Sequence, residues 1–315
     1  MKNIFFLLLV VCLYFLGCHK DETCKEIEHL VDLQETSLFQ TVYPSYGVPY
    51  FNPNNSEEII FFYANEESGT TEKLVKYNLI SKEYYTIHEG NIGIRPRWSK
   101  KGWIIFQLWN ELGNDGYNIW KIKENGDSLT QLTTSGLCFF PEWNKEGDKF
   151  IYELGYTSPT KFIIADQNGD VIDTTLVGVG GNGSWQHDSL VANGNFQGLF
   201  IGNPYSNFYD YDLIYSLEHI SQSAGGAEWI NEHEIIWSHV TGVYFTNISD
   251  SITHRILKTC NAKFYQLPTY SPQLNKVIFQ RVERIITDGE KGDLYSELYM
   301  MNLDGTDEEK IEILE

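Results

Sequence analysis

The residues with the greatest capacity for chemistry in this 315-residue chain are its 8 histidines and 43 acids, and neither set falls into a recognisable constellation. His187, His219, His233, His239 and His254 stand on separate segments, and none forms the His-x-x-x-His spacing that puts two imidazoles on one helix face. No metal and no cofactor is therefore expected. Glycoside hydrolysis needs two carboxylates roughly 5 to 9.5 Å apart, and the spacing of the acids singles out no such pair. No Gly-x-Ser-x-Gly elbow is present to carry a serine nucleophile. Arg97, Glu142 and Glu228 each stand one residue before an aromatic anchor, where a lone charge is costly to bury, so an ion pair between repeats, Arg97 with Glu142, is expected. What remains is recognition chemistry. Trp109, Tyr156, Arg284 and Tyr295 are candidate ligand contacts, and Tyr205, Phe208, Tyr209, Asp210 and Tyr211 form a second cluster able to grip a sugar or a partner protein.

The elements that must position these side chains follow from a repeat. Phe51, Trp98, Trp143, Trp185, Trp229 and Tyr270 recur at intervals of 41 to 47 residues, each followed by a polar turn and an apolar strand. Four strands of ordinary length with their turns need roughly 40 to 45 residues, which is one propeller blade. Pro96-Arg97-Trp98-Ser99-Lys100-Lys101-Gly102 and Pro141-Glu142-Trp143-Asn144-Lys145-Glu146-Gly147 read as strand and tight turn. Asn125-Gly126 and Asn168-Gly169 supply the positive φ angles of a later hairpin turn. The fold expected is all-β, a six-bladed β-propeller of four-stranded antiparallel blades, with the aromatic anchors packed between blades.

Loop lengths then suggest where a ligand would sit. Connections from second to third strand are long at residues 65–72, 108–116, 154–160 and 283–296, and short in the fourth and fifth blades. A raised wall is expected over blades six, one, two and three. It would carry Trp109, Tyr156, Arg284 and Tyr295, with the glycine-rich crossings Val177–Gly183 and Ser223–Gly226 framing the channel mouth. The tyrosine cluster falls between third and fourth strands of the fourth blade, on the opposite face.

The Pro-x-Trp-Ser/Asn-Lys-x-Gly turns, the later Leu298-Tyr299-Met300-Met301-Asn302-Leu303-Asp304-Gly305 run and the Gln131-Leu132-Thr133 ending resemble the TolB-type propeller repeat, over about residues 45 to 314. The resemblance implies the fold and says little of function. The chain departs from TolB in leaving no room for an N-terminal α/β domain, and from prolyl oligopeptidases in leaving none for a hydrolase domain.

Residues 1–17 read as a signal segment, with thirteen mostly apolar residues from Ile4 to Leu16, short of the roughly twenty that span a bilayer. Phe15-Leu16-Gly17-Cys18 resembles a relaxed bacterial lipobox, which implies lipidation of Cys18. His19-Lys20-Asp21-Glu22 resembles the tether that sends Bacteroidota lipoproteins to the outer face of the outer membrane. Residues 18–36 are thus expected as a lipidated tether and 37–315 as the propeller. Net charge is −20, a field that repels phosphate backbones and anionic lipid, so no nucleic acid partner is expected and membrane contact is by the lipid anchor alone. Cys138 and Cys260 are placed on opposite sides of the ring, too far apart to bond to each other, and both are expected as small buried apolar residues.

The function expected is a lipid-anchored outer-membrane propeller, displayed at the surface, that binds an envelope protein or glycan without catalysis. The alternative is a polysaccharide-acting lyase or hydrolase with its site at the central channel mouth. Three or more histidines, or two carboxylates, converging in one pocket would sink the binding-only reading, whereas an aromatic groove without titratable pairs would sink the enzyme.

Overall fold

The computed structural model describes residues 39–313, apart from 66–71, 94, 111–115, 156–159, 178–181, 188–189, 196–197, 207–209, 217–225, 240, 261–262 and 289–290. Its described elements are almost entirely strands, and they form small antiparallel sheets in which each strand pairs with the next along the chain. The first sheet comprises Ser45–Asn52, Asn55–Ala64, Glu72–Asn78 and Tyr84–Gly90. The second comprises Arg97–Trp98, Trp103–Asn110, Gly116–Lys123 and Thr130–Gln131, and the third Cys138–Trp143, Lys149–Leu154, Thr160–Asp166 and Val171–Val177. Asn182–His187, Leu190–Asn195, Gly198–Gly202 and Asp212–Ser216 make the fourth; Gly226–Trp229, Glu234–His239, Gly242–Asn247 and Ile252–Lys258 make the fifth.

The expectation of identical four-stranded antiparallel blades is corrected at the last sheet. Five sheets fit it, whereas the remaining strands form a five-stranded mixed sheet. There Lys263–Ser271, Lys276–Asp288 and Lys291–Asn302 run antiparallel, and the outer strand receives both ends of the described chain. Glu309–Lys310 pairs antiparallel with Met300 and Tyr299, and Phe39–Thr41 pairs parallel with residues Gly292 to Leu294. The expected loop over residues 283–296 is likewise a continuation of two long strands, with Glu283 opposite Tyr295 and Arg284 opposite Leu294. The β-branched Ile285 and Ile286 favour the extended backbone, and the added parallel strand covers part of an edge that would otherwise be open.

Apolar residues alternate along the middle strands, so each sheet presents an apolar side to each neighbour, and the core is divided among the sheet junctions. Ile60, Leu74 and Ile87 of the first sheet pack with Trp98, Ile104 and Phe106 of the second; Ile105 and Ile119 of the second pack with Trp143 and Phe150 of the third. The same arrangement joins Ile151 to Trp185, Ile201 to Trp229, and Ile236 to Phe279. A further cluster joins Ile278 and Leu298 of the mixed sheet to Phe51 and Ile59 of the first. Tyr77 reinforces that junction by donating to the Glu312 carbonyl at 2.7 Å. The aromatic anchors therefore do what their spacing predicts. Five are buried in these junctions, and Tyr270 is half-buried.

One recurring feature is absent from the sequence pattern. The residue three before the anchor is left-handed in five sheets: Val48 (φ 50°), Arg95 (φ 80°), Phe140 (φ 51°), Gly226 (φ 128°) and Leu267 (φ 52°). In the first, third and last sheets this position sits within a β-bulge. A non-glycine residue there costs about 1 kcal/mol or more, and a turned-out N–H must find a partner. The preceding sheet supplies it. Gln107 accepts from Phe140 N at 3.1 Å, and the Ser238 hydroxyl accepts from Leu267 N at 3.2 Å, which accounts for two polar side chains buried in the core.

Cys138 is free and buried, as expected, with its sulfur 3.0 Å from the Ser135 hydroxyl. Cys260 corrects the expectation: it is disulfide-bonded, to a partner outside the described residues. The distance argument excluded only a bond between Cys138 and Cys260. Cys18 and the segment 18–36 also lie outside the described residues.

Candidate functional site

The inner strand of each sheet ends at its anchor or within two residues after it, and the residue before the anchor takes the other side of the strand. Of these residues Tyr50, Glu142, Ser184 and Glu228 line one cavity of about 450 Å³. Its walls include the anchors Trp98, Trp143, Trp185 and Trp229, and its rim carries Lys100, Asn144, Lys145, Asn231 and Glu232 from the turns that follow, with Gln186 from the strand Asn182–His187. Sheets one to five thus contribute to a single depression on the face of the first-to-second-strand turns. That is the face opposite the expected wall.

The floor is ionic. Arg97 Nε donates to Glu142 Oε2 at 2.6 Å, the ion pair the sequence predicts, and its guanidinium lies 4.7 Å from the centre of the Tyr50 ring. Arg95 reaches the same carboxylate oxygen at 3.6 Å and donates to the Gly183 carbonyl at 2.5 Å. Both arginines and Glu142 are buried, and Glu153 is buried behind them. Tyr50 donates to Glu228 Oε1 over a long 3.4 Å.

These contacts shift protonation in understandable directions. Burial, and then the charge of Glu142, raises Glu228 to about 8, although Arg97 and Arg95 oppose the shift. Glu228 is half-buried and keeps some contact with the cavity. The upward shift favours the neutral acid, which can donate a hydrogen bond, at pH 7. Burial works against the charge on Arg97, but Glu142 and Glu228 outweigh it and hold the group above its ordinary value. Burial and the like charge of Arg97 lower Arg95 to about 9, which leaves it cationic at neutral pH. Burial, then Glu228 and Glu142, push the Tyr50 hydroxyl upward, so it remains a donor.

The residues singled out from sequence are dispersed. Trp109 lies at the end of Trp103–Asn110, its ring in edge contact with Tyr117 at 5.2 Å. Arg284 and Tyr295 sit on paired strands, and Tyr295 lines a separate 260 Å³ recess with Tyr43, Tyr46 and Lys310, where the chain ends meet. Tyr156 and Tyr209 lie outside the described residues. Tyr205 and Tyr211 do lie between third and fourth strands of the fourth sheet, and both pack in the cluster around Trp185. The Tyr211 ring presses on Gly202, where an added Cβ would stand 2.1 Å from it. The structure thus joins Tyr205 and Tyr211, and none of Trp109, Tyr205, Asp210, Tyr211 and Tyr295 lines the 450 Å³ cavity. His239 is buried with Nδ1 3.1 Å from the Thr241 hydroxyl, and among the described residues no three metal-ligating side chains gather.

Sequence reasoning passed over Tyr50, Arg95 and Glu228 as site residues. The available signal was the column one residue before each anchor, which holds Tyr50, Arg97, Glu142, Ser184 and Glu228 in the first five repeats.

No family model matches the chain, and no curated protein matches it. Solved structures do. The β-propeller domain of the Trilobed protease from Pyrococcus furiosus aligns with a TM-score of 0.55 at 14% identity, covering 86% of this chain and 98% of that one. The tricorn protease gives 0.59 at 13% identity over 86% of this chain, and an acylaminoacyl peptidase from Pyrococcus horikoshii 0.53 at 15% over 86%. The chain spans only 26% and 52% of those two proteins. A putative TolB from Agrobacterium tumefaciens aligns at a TM-score of 0.41 and 14% identity, too loosely to carry an argument. At these identities the likeness establishes a β-propeller fold and nothing of activity.

Proposed function

We propose that the protein is a non-catalytic binding propeller of the bacterial cell envelope, anchored through lipid on Cys18, that takes up an envelope protein or glycan at the axial cavity. In this reading the mixed sheet is the sixth blade of the ring, a count supported by the cluster that joins Ile278 and Leu298 to Phe51 and Ile59. The observation that carries the binding role is the convergence of five sheets on one polar cavity of about 450 Å³, the size of a small-ligand site. The disulfide at Cys260 supports an oxidising compartment.

The enzyme reading has one specific observation in its favour. Two carboxylates, Glu142 and Glu228, line the same cavity, and one of them is neutral at pH 7. Two carboxylates in one cavity count against a binding-only reading, but binding remains the better account because Glu142 Oε2 is tied into the ionic floor by Arg97 at 2.6 Å and Arg95 at 3.6 Å, so the two acids are not a free acid–base pair. Titration of envelope glycan fragments into the protein, with products followed by reducing-end assay, separates the two. Saturable binding without bond cleavage, lost in Glu228→Lys, supports the binding propeller; turnover abolished by Glu228→Gln establishes the enzyme. Cys18→Ala moves the protein from the membrane fraction to the soluble fraction if the anchor is correct, and protease shaving of intact cells reports surface display.

A further inference from the structure

The polar groups of the axial cavity are unequally divided between cations and anions. The chain as a whole carries −20, yet Lys100 and Lys145 stand at the rim and Arg95 and Arg97 beneath it, against Glu142, Glu153 and Glu232. Neither lysine forms an ion pair among the described residues, whereas Glu142 is held by both arginines. Glu228 presents a hydroxyl to the cavity at neutral pH, and the Tyr50 hydroxyl already donates to it. The capacity left uncommitted is therefore that of donors and positive charge. A ligand rich in acceptors satisfies it, and a carboxylate does so best, because its two oxygens accept charge-assisted bonds from ammonium groups and a further bond from a protonated acid.

We propose that the axial cavity recognises a carboxylate-bearing ligand, with the acid group between the Lys100 and Lys145 ammonium groups and the Glu228 side chain. The inference rests on the binding reading above and names the chemistry of its ligand. A uronic-acid sugar and a small N-acylated amino acid carry the same group, and both fit a polar cavity of about 450 Å³. Proximity to the arginines explains why the site tolerates an anion in an acidic protein. Low local dielectric strengthens their field at the cavity, while the scattered surface acids are screened within roughly 8 to 10 Å by salt.

The groups facing Glu228 across the cavity from the first three sheets are Tyr50, Arg95, Arg97 and Glu142. Ionisation of Glu228 would remove its donor and set a second negative charge against an incoming carboxylate. Affinity should therefore fall as pH rises through about 8.

The test is isothermal titration of the full protein at low salt with trigalacturonic acid, N-acetylalanine and, as a neutral control, galactotriose. At least one of the two acids should bind, with galactotriose tenfold or more weaker. Lys100→Ala/Lys145→Ala, both at the rim and outside the packed core, should weaken the acid tenfold or more. Glu228→Gln should keep binding and lose the decline between pH 7 and 9. Binding of galactotriose as tight as that of the acids, unaffected by the lysine variant but lost in Glu228→Lys, would overturn the carboxylate assignment while leaving the binding cavity intact. No heat with any of the three, in a protein whose unfolding transition shows it folded, overturns the carboxylate assignment. Galactotriose binding unaffected by Glu228→Lys also overturns it, and moves the site away from the cavity.

Discussion

Replacing Glu228 by glutamine should abolish a pH dependence of folding stability that the wild-type chain carries. Glu228 titrates near 4.5 when unfolded and at about 8 when folded, because burial and the Glu142 charge penalise its anion. An acid whose folded value is raised binds more protons in the native state between those limits, so stability falls as pH rises from about 4.5 to about 8 and is level on either side. Each pH unit is worth about 1.4 kcal/mol, which sets a ceiling of about 5 kcal/mol over the interval. Glu228 is in contact with the cavity and both arginines can lean toward it, so about 2 kcal/mol is the expected loss after screening. Glutamine has the shape and hydrogen-bonding capacity of the neutral acid and cannot ionise. Urea unfolding at pH 5, 7 and 9 should give similar stabilities for the two proteins at pH 5. At pH 9 the variant should be more stable by about 2 kcal/mol. A wild-type curve with no decline attributable to residue 228, or a variant that declines in parallel, would refute the account of the ionic floor.

Arg97→Met should destabilise the fold by up to about 3 to 5 kcal/mol in urea, because it leaves the buried Glu142 carboxylate only its 3.6 Å contact with Arg95, and Arg97→Met/Glu142→Leu should recover only part of the loss, because Arg95 then loses that carboxylate. Gly202→Ala sets a Cβ 2.1 Å from the Tyr211 ring, so a loss of about 1 to 3 kcal/mol is expected on thermal or urea unfolding, with Gly202→Ala/Tyr211→Ala less affected than the sum of the single changes. Before reduction, alkylation of the unfolded protein should label Cys138 and leave Cys260 unlabelled, read by peptide mass; labelling of both would contradict the disulfide.

The repeat of aromatic anchors was enough to specify small antiparallel sheets with junction cores, because the burial of a large aromatic and the positive φ of Asn-Gly turns are local requirements that any tertiary arrangement must respect. The Arg97–Glu142 pair was legible for the same reason: two opposite charges at equivalent positions of adjacent repeats have few other ways to be buried. The long strands of the last sheet were missed because Arg284, Glu283 and Lys291 look like loop residues until the two strands pair with each other, Glu283 opposite Tyr295 and Arg284 opposite Leu294, with residues 39–41 alongside Gly292 to Leu294.

Reasoning from loop length points to the face opposite the axial cavity. Loop length is local, whereas the axial cavity is made by side chains from five sheets, none of which neighbours another's contribution in sequence. The left-handed position three before the anchor is the clearest case. It is filled by Val48, Arg95, Phe140, Gly226 and Leu267, with no shared side chain, because the bulge and the partner offered by the preceding sheet, not residue type, hold the backbone there. The sequence by itself determined the blade, its turns and the burial of its anchors, since these follow from periodicity and local conformational preference. Only the tertiary structure decided that Tyr50, Arg95, Arg97, Glu142 and Glu228 meet, and that the meeting keeps one acid neutral, because desolvation and charge coupling depend on distances through space rather than along the chain.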